Sequence, residues 1–442
     1  MASDAMAGTR TDYVSNDQLR VGHYIHLELS WLEHPFSFNN FLIRNAEQLR
    51  EVRSLGLERI RIDPARSRVE ADDQDDAGDA VDGVDAVDGA AAAAAAEAQA
   101  VRDAVLEEKR ARILRNRQIR SRINACEREF LEAATVCREL SRTLFADPAT
   151  ALDSADRLIG QLTDSLLMDR DVMVHLMNDK VAGEEVYYHS LNVAMLSLLL
   201  GKALELEAGV LKLIGVAALF HDIGKVDVPD KILLKKDPLT HAEEAFYRQH
   251  CAYGVEHGRA AGLSEPVLQV IGMHHERMDG TGYPKGLKGE AIPRLARLVG
   301  LVNDYDMLCN PTNLANAITP HEALSLMYAK HRRRYDEQIL KALIHILGVF
   351  PPGTVVRLSN DAFAMVLSIN SARPLRPVVM VHDAEVPKEE AIIVDLEDES
   401  SVNIVKAIRP NQLPRQVFDY LSPRKRITYY FDPATGKAGG GS

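Results

Sequence analysis

The longest regular pattern in the chain is a heptad seam. Ile119, Ile123, Cys126, Phe130, Ala133, Cys137, Leu140 and Leu144 recur at 4-3-4-3-4-3-4 spacing. This predicts one long helix over 101–147, with Asp147-Pro148 as its stop. Such a seam fits either a second copy of the chain, in a parallel homodimer, or the helix's own domain. From about residue 150 to 350 almost every apolar period is helical and strand-like alternation is scarce, which predicts an all-α domain. Upstream, Leu19 to Leu27 and Arg59 to Asp63 alternate like strands around a helical stretch from Ala46 to Leu55, so 1–66 reads as a small α+β domain. Downstream of Pro351-Pro352-Gly353, the runs Val355–Leu358, Ala364–Leu367, Val378–Val381 and Ala391–Val394 predict a small β-rich module over 351–432. A tail over 433–442 ends in Gly-Gly-Gly-Ser.

Composition narrows the classes. The 442 residues carry a net charge of −12, so no general basic face is offered to nucleic acid or a membrane surface. The most apolar region, Leu191 to Phe220, is interrupted by Lys202, Glu205, Glu207 and Lys212. It reads as two buried helices rather than a span of about 20 apolar residues. The N-terminus is polar and lacks the apolar segment of a signal peptide. The four cysteines, Cys126, Cys137, Cys251 and Cys309, form no Cys-x-x-Cys pair. That fits reduced thiols in a cytoplasmic protein rather than a zinc ribbon or a disulfide framework. Residues 71–100 hold nine acids, no Lys or Arg, and seven consecutive alanines. With so few large apolar groups, 67–100 reads as an acidic, Ala-rich linker in which the alanine run has helix propensity. Trp31, the only tryptophan, is assigned to packing.

Candidate chemistry gathers in the helical region. Glu185 and His189 are four apart and share a face if helical. His221 and Asp222 end the apolar run to Phe220, where a buried charged pair needs a partner such as a cation. Lys225 follows one turn later. His250, then His274 and His275, complete the set. Five histidines and two carboxylates exceed the four ligands of one structural zinc. They imply two or three metal ions around a bridging carboxylate, with Glu185 as the candidate bridge. Imidazole and carboxylate without thiolate suit transition metals, iron or manganese foremost. Asp279-Gly280-Thr281-Gly282-Tyr283-Pro284 reads as a tight turn. Cys251 is assigned to packing, and His175, His241, His257, His321, His331 and His345 to ordinary polar positions.

The order His221-Asp222, then His274-His275-Glu276, then Gly282-Tyr283-Pro284 resembles the HD-GYP family of metal-dependent cyclic di-GMP phosphodiesterases. The 1–66 segment is similar to the small domain of unknown function that often precedes them. The resemblance implies an HD-type helical catalytic domain over 150–350. It implies His189, His221, Asp222, His250, His274 and His275 as metal ligands, Glu185 as the acid of trinuclear members, and Asn303 at a further ligand position. It also implies that Lys225 and Asp222 serve catalysis, and that Lys225, Tyr283 and Gly282 meet the substrate. The reaction implied is hydrolysis of cyclic di-GMP to the linear dinucleotide or GMP by a metal-bridged hydroxide, in bacterial second-messenger signalling. Two departures stand out. The family's Ala-Asp-x-Phe/Tyr-Asp-Ala run is here Val302-Asn303-Asp304-Tyr305-Asp306-Met307, and its Arg-Pro-Tyr-Arg/Lys stretch is Cys309-Asn310-Pro311-Thr312-Asn313. Asp306, one turn beyond Asn303, is expected to support Lys225 or the metal. The departures leave open a degenerate protein that binds cyclic di-GMP or partner proteins without turnover. Action on another nucleotide is a third reading, opposed by the Gly-Tyr-Pro turn.

Overall fold

The computed structural model describes residues 12–29, 34, 36, 39–69, 87–168, 172–177, 185–370, 373–384, 386–388, 391–399, 402–423 and 427–433. Trp31, the acidic stretch before Val87 and the Gly-Ser tail lie outside them. Contacts divide the chain into two units. One comprises residues 1–119 with 359–362 and 383–394; the other comprises 120–358, 363–382 and 395–442.

In the first unit, β1 (Asp12–Ser15), β2 (Tyr24–His26), β3 (Asn40–Leu42) and β4 (Arg59–Ile62) form an antiparallel sheet of order β1-β4-β2-β3. Helix α1 (Ala46–Ser54) starts at Asn45, whose side chain accepts the Gln48 amide. Leu19, Ile25, Leu27, Phe41, Ile43, Val52, Ile60 and Ile62 make its core. This is the small α+β domain expected from the alternation. Helix α2 runs over Val87–Thr143. It begins before Val101 because the alanine run, with the best helix propensity, lies inside it rather than in a linker.

The second unit is mostly helical: α3 (Pro148–Met168), α4 (Glu185–Ala203), α5 (Ala208–Phe220), α6 (Asp230–Leu233), α7 (His241–Tyr247), α8 (His250–Ala260), α9 (Glu265–Met273), α10 (Arg294–Cys309), α11 (Pro320–Ala329) and α12 (Glu337–Leu347). Residues 191–200 of α4 and the C-terminal half of α5 are buried throughout, so these two apolar helices are the centre of the domain. The heptad seam meets them. Cys126, Phe130, Ala133, Cys137, Leu140 and Leu144 are buried in the same core, and the Phe130 ring lies 5.4 Å from that of Tyr188. Of the two readings of the 4-3 spacing, packing on the helix's own domain accounts for the seam from Cys126 to Leu144.

A second correction concerns strands. The helical region contains β5 (Val172–Leu176). Further strands are β6 (Val355–Leu358), β7 (Phe363–Asn370), β8 (Val378–Val381), β9 (Ile392–Asp395), β10 (Ile404–Ile408) and β11 (Tyr429–Pro433), with helix α13 (Arg415–Leu421) before the last. The sheet runs β10-β6-β7-β5-β11, with β8 also on β7. Strand β5 therefore sits between two strands from the far end of the chain, and the β-rich C-terminal region is built around a piece of the helical one.

Candidate metal centre

Helix ends deliver the ligand candidates. His221 follows the last residue of α5 and His274 the last residue of α9, while His250 is the first residue of α8. Each ring turns back on the helix end beside it. Nδ1 lies 2.7 Å from Ala218 O for His221, 2.6 Å from Tyr247 O for His250 and 2.8 Å from Ile271 O for His274. Each Nδ1–H thus donates to the carbonyl three residues back. That fixes the tautomer and leaves each Nε2 lone pair facing inward, the usual support of a metal-binding imidazole.

Asp222 stands between the inward nitrogens. Its Oδ2 is 3.3 Å from His221 Nε2 and 3.5 Å from His189 Nε2. Its Oδ1 is 3.5 Å from His250 Nε2 and 3.6 Å from His274 Nε2. Two groups result, Asp222 with His250, His274 and His275, and Asp222 with His189 and His221, each with ligand atoms within 4.8 Å of one another. His189 Nε2 and His221 Nε2 face each other at 3.2 Å, which two lone pairs tolerate only with a proton or cation between them. Asp222 Oδ1, His274 Nε2 and His275 Nε2 are buried without a hydrogen-bond partner among the described residues. Orphaned polar atoms at this density are costly. A cation-filled site removes that cost, so the donor set fits divalent metal.

Electrostatics agree. Burial holds the His250 imidazole at about 4 despite Asp222, and pushes His221 down and His275 far down, so these rings stay neutral as ligands must. Burial opposes ionisation of Asp222, but Lys225 and His221 outweigh it and hold the carboxyl well below its ordinary range. His189 is the exception: burial is outweighed by Asp306 and Asp222, and its pKa rises to about 9. Burial raises the Cys251 thiol to about 12, so it remains a protonated packing group.

Other expected residues fall into distinct places. Glu185 opens α4, but its side chain lies outside the described residues. Asp222 is the carboxylate common to both groups. Asn303 is buried on α10, which presses against α9; a Cβ on Gly300 would stand 2.3 Å from His274 O. Asp306 is not with Lys225. It accepts from His189 Nδ1 at 2.6 Å, from Asn192 Nδ2, and from Asn310 Nδ2 at 2.9 Å. Lys225 bonds Asp222 itself and lies 5.6 Å from the Tyr247 ring centroid. Tyr283 stacks on His275 with centroids 4.5 Å apart, and the Arg248 guanidinium lies 4.9 Å from its centroid. Gly282 is required by packing, because a Cβ there would meet His275 O and Arg277 N at 2.4 Å.

Three residues gained roles that the sequence did not show. Glu276, buried, accepts the Lys285 and Leu287 amides at 2.6 and 2.8 Å and so ties down the chain after the Gly-Tyr-Pro turn. His257 pairs with Asp227 at 2.6 Å, and His175 is buried on β5 rather than at a polar surface position. Glu276 was visible in its motif, whereas the partner of His257 lies 30 residues away.

Three family models match the chain. Residues 13–155 match a domain of unknown function, DUF3391; residues 164–339 match the HD domain; residues 355–416 match a KOW domain associated with HD domains. A cyclic di-GMP phosphodiesterase of Pseudomonas aeruginosa is 30% identical over 373 residues, covering 82% of this chain and 83% of that protein. A cyclic di-GMP phosphodiesterase response regulator of Xanthomonas campestris pv. campestris is 37% identical over 150 residues, 33% of this chain and 39% of that protein. Among solved structures, an HDG"Y"P protein from Bdellovibrio bacteriovorus aligns with a TM-score of 0.41 at 16% identity, covering 76% of this chain and 99% of that one. No helix among the described residues is long and apolar enough to cross a membrane.

Proposed function

This chain belongs to the HD-GYP family of HD-domain phosphodiesterases, and on that premise we propose that it hydrolyses cyclic di-GMP to the linear dinucleotide or GMP. The observation that carries the proposal is Asp222, one carboxylate offered to two groups of inward-facing imidazoles. His189 and His221 would hold one ion, and His250, His274 and His275 another, with Asp222 common to both and Asn303 a further candidate ligand; iron or manganese suits these donors. Ions bound there supply Lewis-acid polarisation of a phosphoryl oxygen and lower the pKa of water.

The chain's own groups do the rest. The Nδ1 hydrogen bonds of His221, His250 and His274 prevent the rings from turning away. Lys225, kept protonated beside Asp222, brings positive charge to where the phosphoryl oxygens gather negative charge. Tyr283, stacked on His275 with the Arg248 guanidinium over its ring, is the aromatic group placed to meet a guanine base or ribose. The N-terminal domain and α2 would tether or regulate this centre. Four buried cysteine side chains suit a reducing, cytoplasmic setting.

Protein purified anaerobically with iron or manganese should carry at least two ions per chain and turn over cyclic di-GMP, and Asp222→Ala should abolish both. One ion or none would overturn the two-ion centre. A second reading rests on Asn303 and on Asn310, which lies in the stretch replacing the family's Arg-Pro-Tyr run and bonds inward to Asp306. If the metal-loaded protein binds cyclic di-GMP and releases no product, it is a receptor.

A further inference from the structure

A polar network leads from His189 away from the metal centre to the last strand of the chain. Asp306 Oδ2 lies 2.6 Å from His189 Nδ1. Its Oδ1 accepts from two amides, Asn192 Nδ2 and, at 2.9 Å, Asn310 Nδ2. Both asparagines also grip the backbone of residues 427–429. Asn310 Nδ2 donates to Ile427 O at 2.7 Å, and Asn310 Oδ1 accepts from Ile427 N at 2.7 Å. Asn192 Oδ1 accepts from Tyr429 N at 2.8 Å. Tyr429 is anchored in turn: it pairs with Leu176 of β5, and its hydroxyl lies 2.9 Å from that of Tyr305, the neighbour of Asp306 on α10.

The side-chain chemistry is specific. Each asparagine donates through Nδ2 to a carboxylate and accepts through Oδ1 from a backbone amide. Aspartate cannot donate in this way, and a hydroxyl lacks the forked reach. Each bond limits the others, because Asp306 is placed by donors that are themselves placed by the C-terminal backbone.

We propose that Asn310, Asn192 and the backbone of 427–429 are positioning residues of the metal centre. The C-terminal strand sets the Asn pair, the pair sets Asp306, and Asp306 sets the His189 ring. The half of the centre built on His189 and His221 is then completed by the end of the chain, while the half built on His250, His274 and His275 is held by its own helix ends. This rests on the metal-binding reading above only in taking the His189–His221 group to hold an ion. It also gives the Cys309–Asn313 departure a use: where relatives carry an Arg-Pro-Tyr stretch, this chain carries the clasp on its own C-terminal segment.

The test uses the full-length chain with Asn310→Ala and, separately, Ile427→Pro, which deletes the amide that Asn310 accepts; Ile427→Val is the packing control. In metal-free protein, histidine ¹⁵N–¹H NMR reads the hydrogen-bonded Nδ1–H of His189, assigned with His189→Gln. Both test variants should lose or shift that resonance, and Ile427→Val should keep it. In metal titrations, one ion should bind about tenfold to a hundredfold more weakly, the usual effect of removing an outer-shell partner, with the other ion unchanged. An unchanged His189 signal in Asn310→Ala overturns the proposal, as does equal weakening of both ions. If the unmodified protein takes up no metal, the two-ion reading fails while the NMR comparison still decides this one.

Discussion

The backbone of Gly224 lies directly on that of His250: a Cβ on Gly224 would stand 2.0 Å from His250 O and 2.3 Å from the amide nitrogen of Gly254. Only glycine permits this approach. It lets the turn after His221-Asp222 pack on the start of α8, so that Asp222 Oδ1 and His250 Nε2 come within 3.5 Å. Two stretches almost thirty residues apart in sequence thereby share one site.

Gly224→Ala should therefore damage stability and metal together. Overpacking backbone against backbone has no flexible side chain to yield, so a cost of about 2–3 kcal/mol is expected. Urea unfolding of the metal-free protein reads the first effect and metal analysis the second. A variant with unchanged midpoint and full metal content would show that the two stretches can separate without loss.

The Phe130 seam yields a prediction about assembly. Because Phe130 packs against Tyr188 and Tyr430 in its own chain, Phe130→Ala should cost about 3–5 kcal/mol of unfolding free energy. Light scattering should give the same mass for the variant as for the unmodified protein. A folded variant of half that mass would mean that the seam is shared between copies after all.

His175 gives the pH prediction. Burial, aided by the charge of Arg122, holds its folded pKa at about 3, against about 6.5 in an unfolded chain. Below pH 6.5 the unfolded chain binds a proton that the folded one refuses. Its contribution is therefore fully present above about pH 6.5 and is lost as pH falls toward 3. The integrated effect is of the order of 5 kcal/mol. Denaturant melts of metal-free protein across this range, compared with His175→Leu, should show a shallower acid loss in the variant. Parallel pH profiles would place the acid sensitivity elsewhere.

Much of this candidate centre was legible because its candidate ligands come in short motifs at helix ends. Local apolar runs mark where α5 and α9 stop, and the histidines stand just there. Long-range choices were not legible. Glu185 and Asp222 are both acids beside a histidine or one turn from it, and only the fold puts Asp222 between the two groups. A 4-3 seam is the same pattern whether a second copy or α4 fills it, so the tie between them was invisible. Strand β5 was missed because its partners, β7 and β11, lie nearly two hundred and more than two hundred and fifty residues downstream. Asp306 was correctly placed one turn from Asn303, yet its partner His189 is 117 residues away.

Asn303 offers the most direct test of how the centre is charged. It is buried on α10, on the helix that abuts His274, and it brings an amide where the family has a carboxylate. Without metal, Asn303→Asp adds a negative charge to a buried region that already holds Asp222 and Asp306. The metal-free variant should therefore be less stable, by about 1–3 kcal/mol. With metal, the added charge should tighten the ion beside it, so stabilisation by added metal should be larger in the variant than in the unmodified protein. Thermal melts with and without metal read both terms. Metal retained after mild chelation, measured beside cyclic di-GMP hydrolysis, then separates enzyme from receptor. An enzyme with a weakened site should need less added metal after Asn303→Asp. A receptor should retain more metal and still release no product. Equal metal retention and equal activity in the two forms would show that Asn303 is an adequate ligand or stands outside the centre, and the argument for a weakened site would fail.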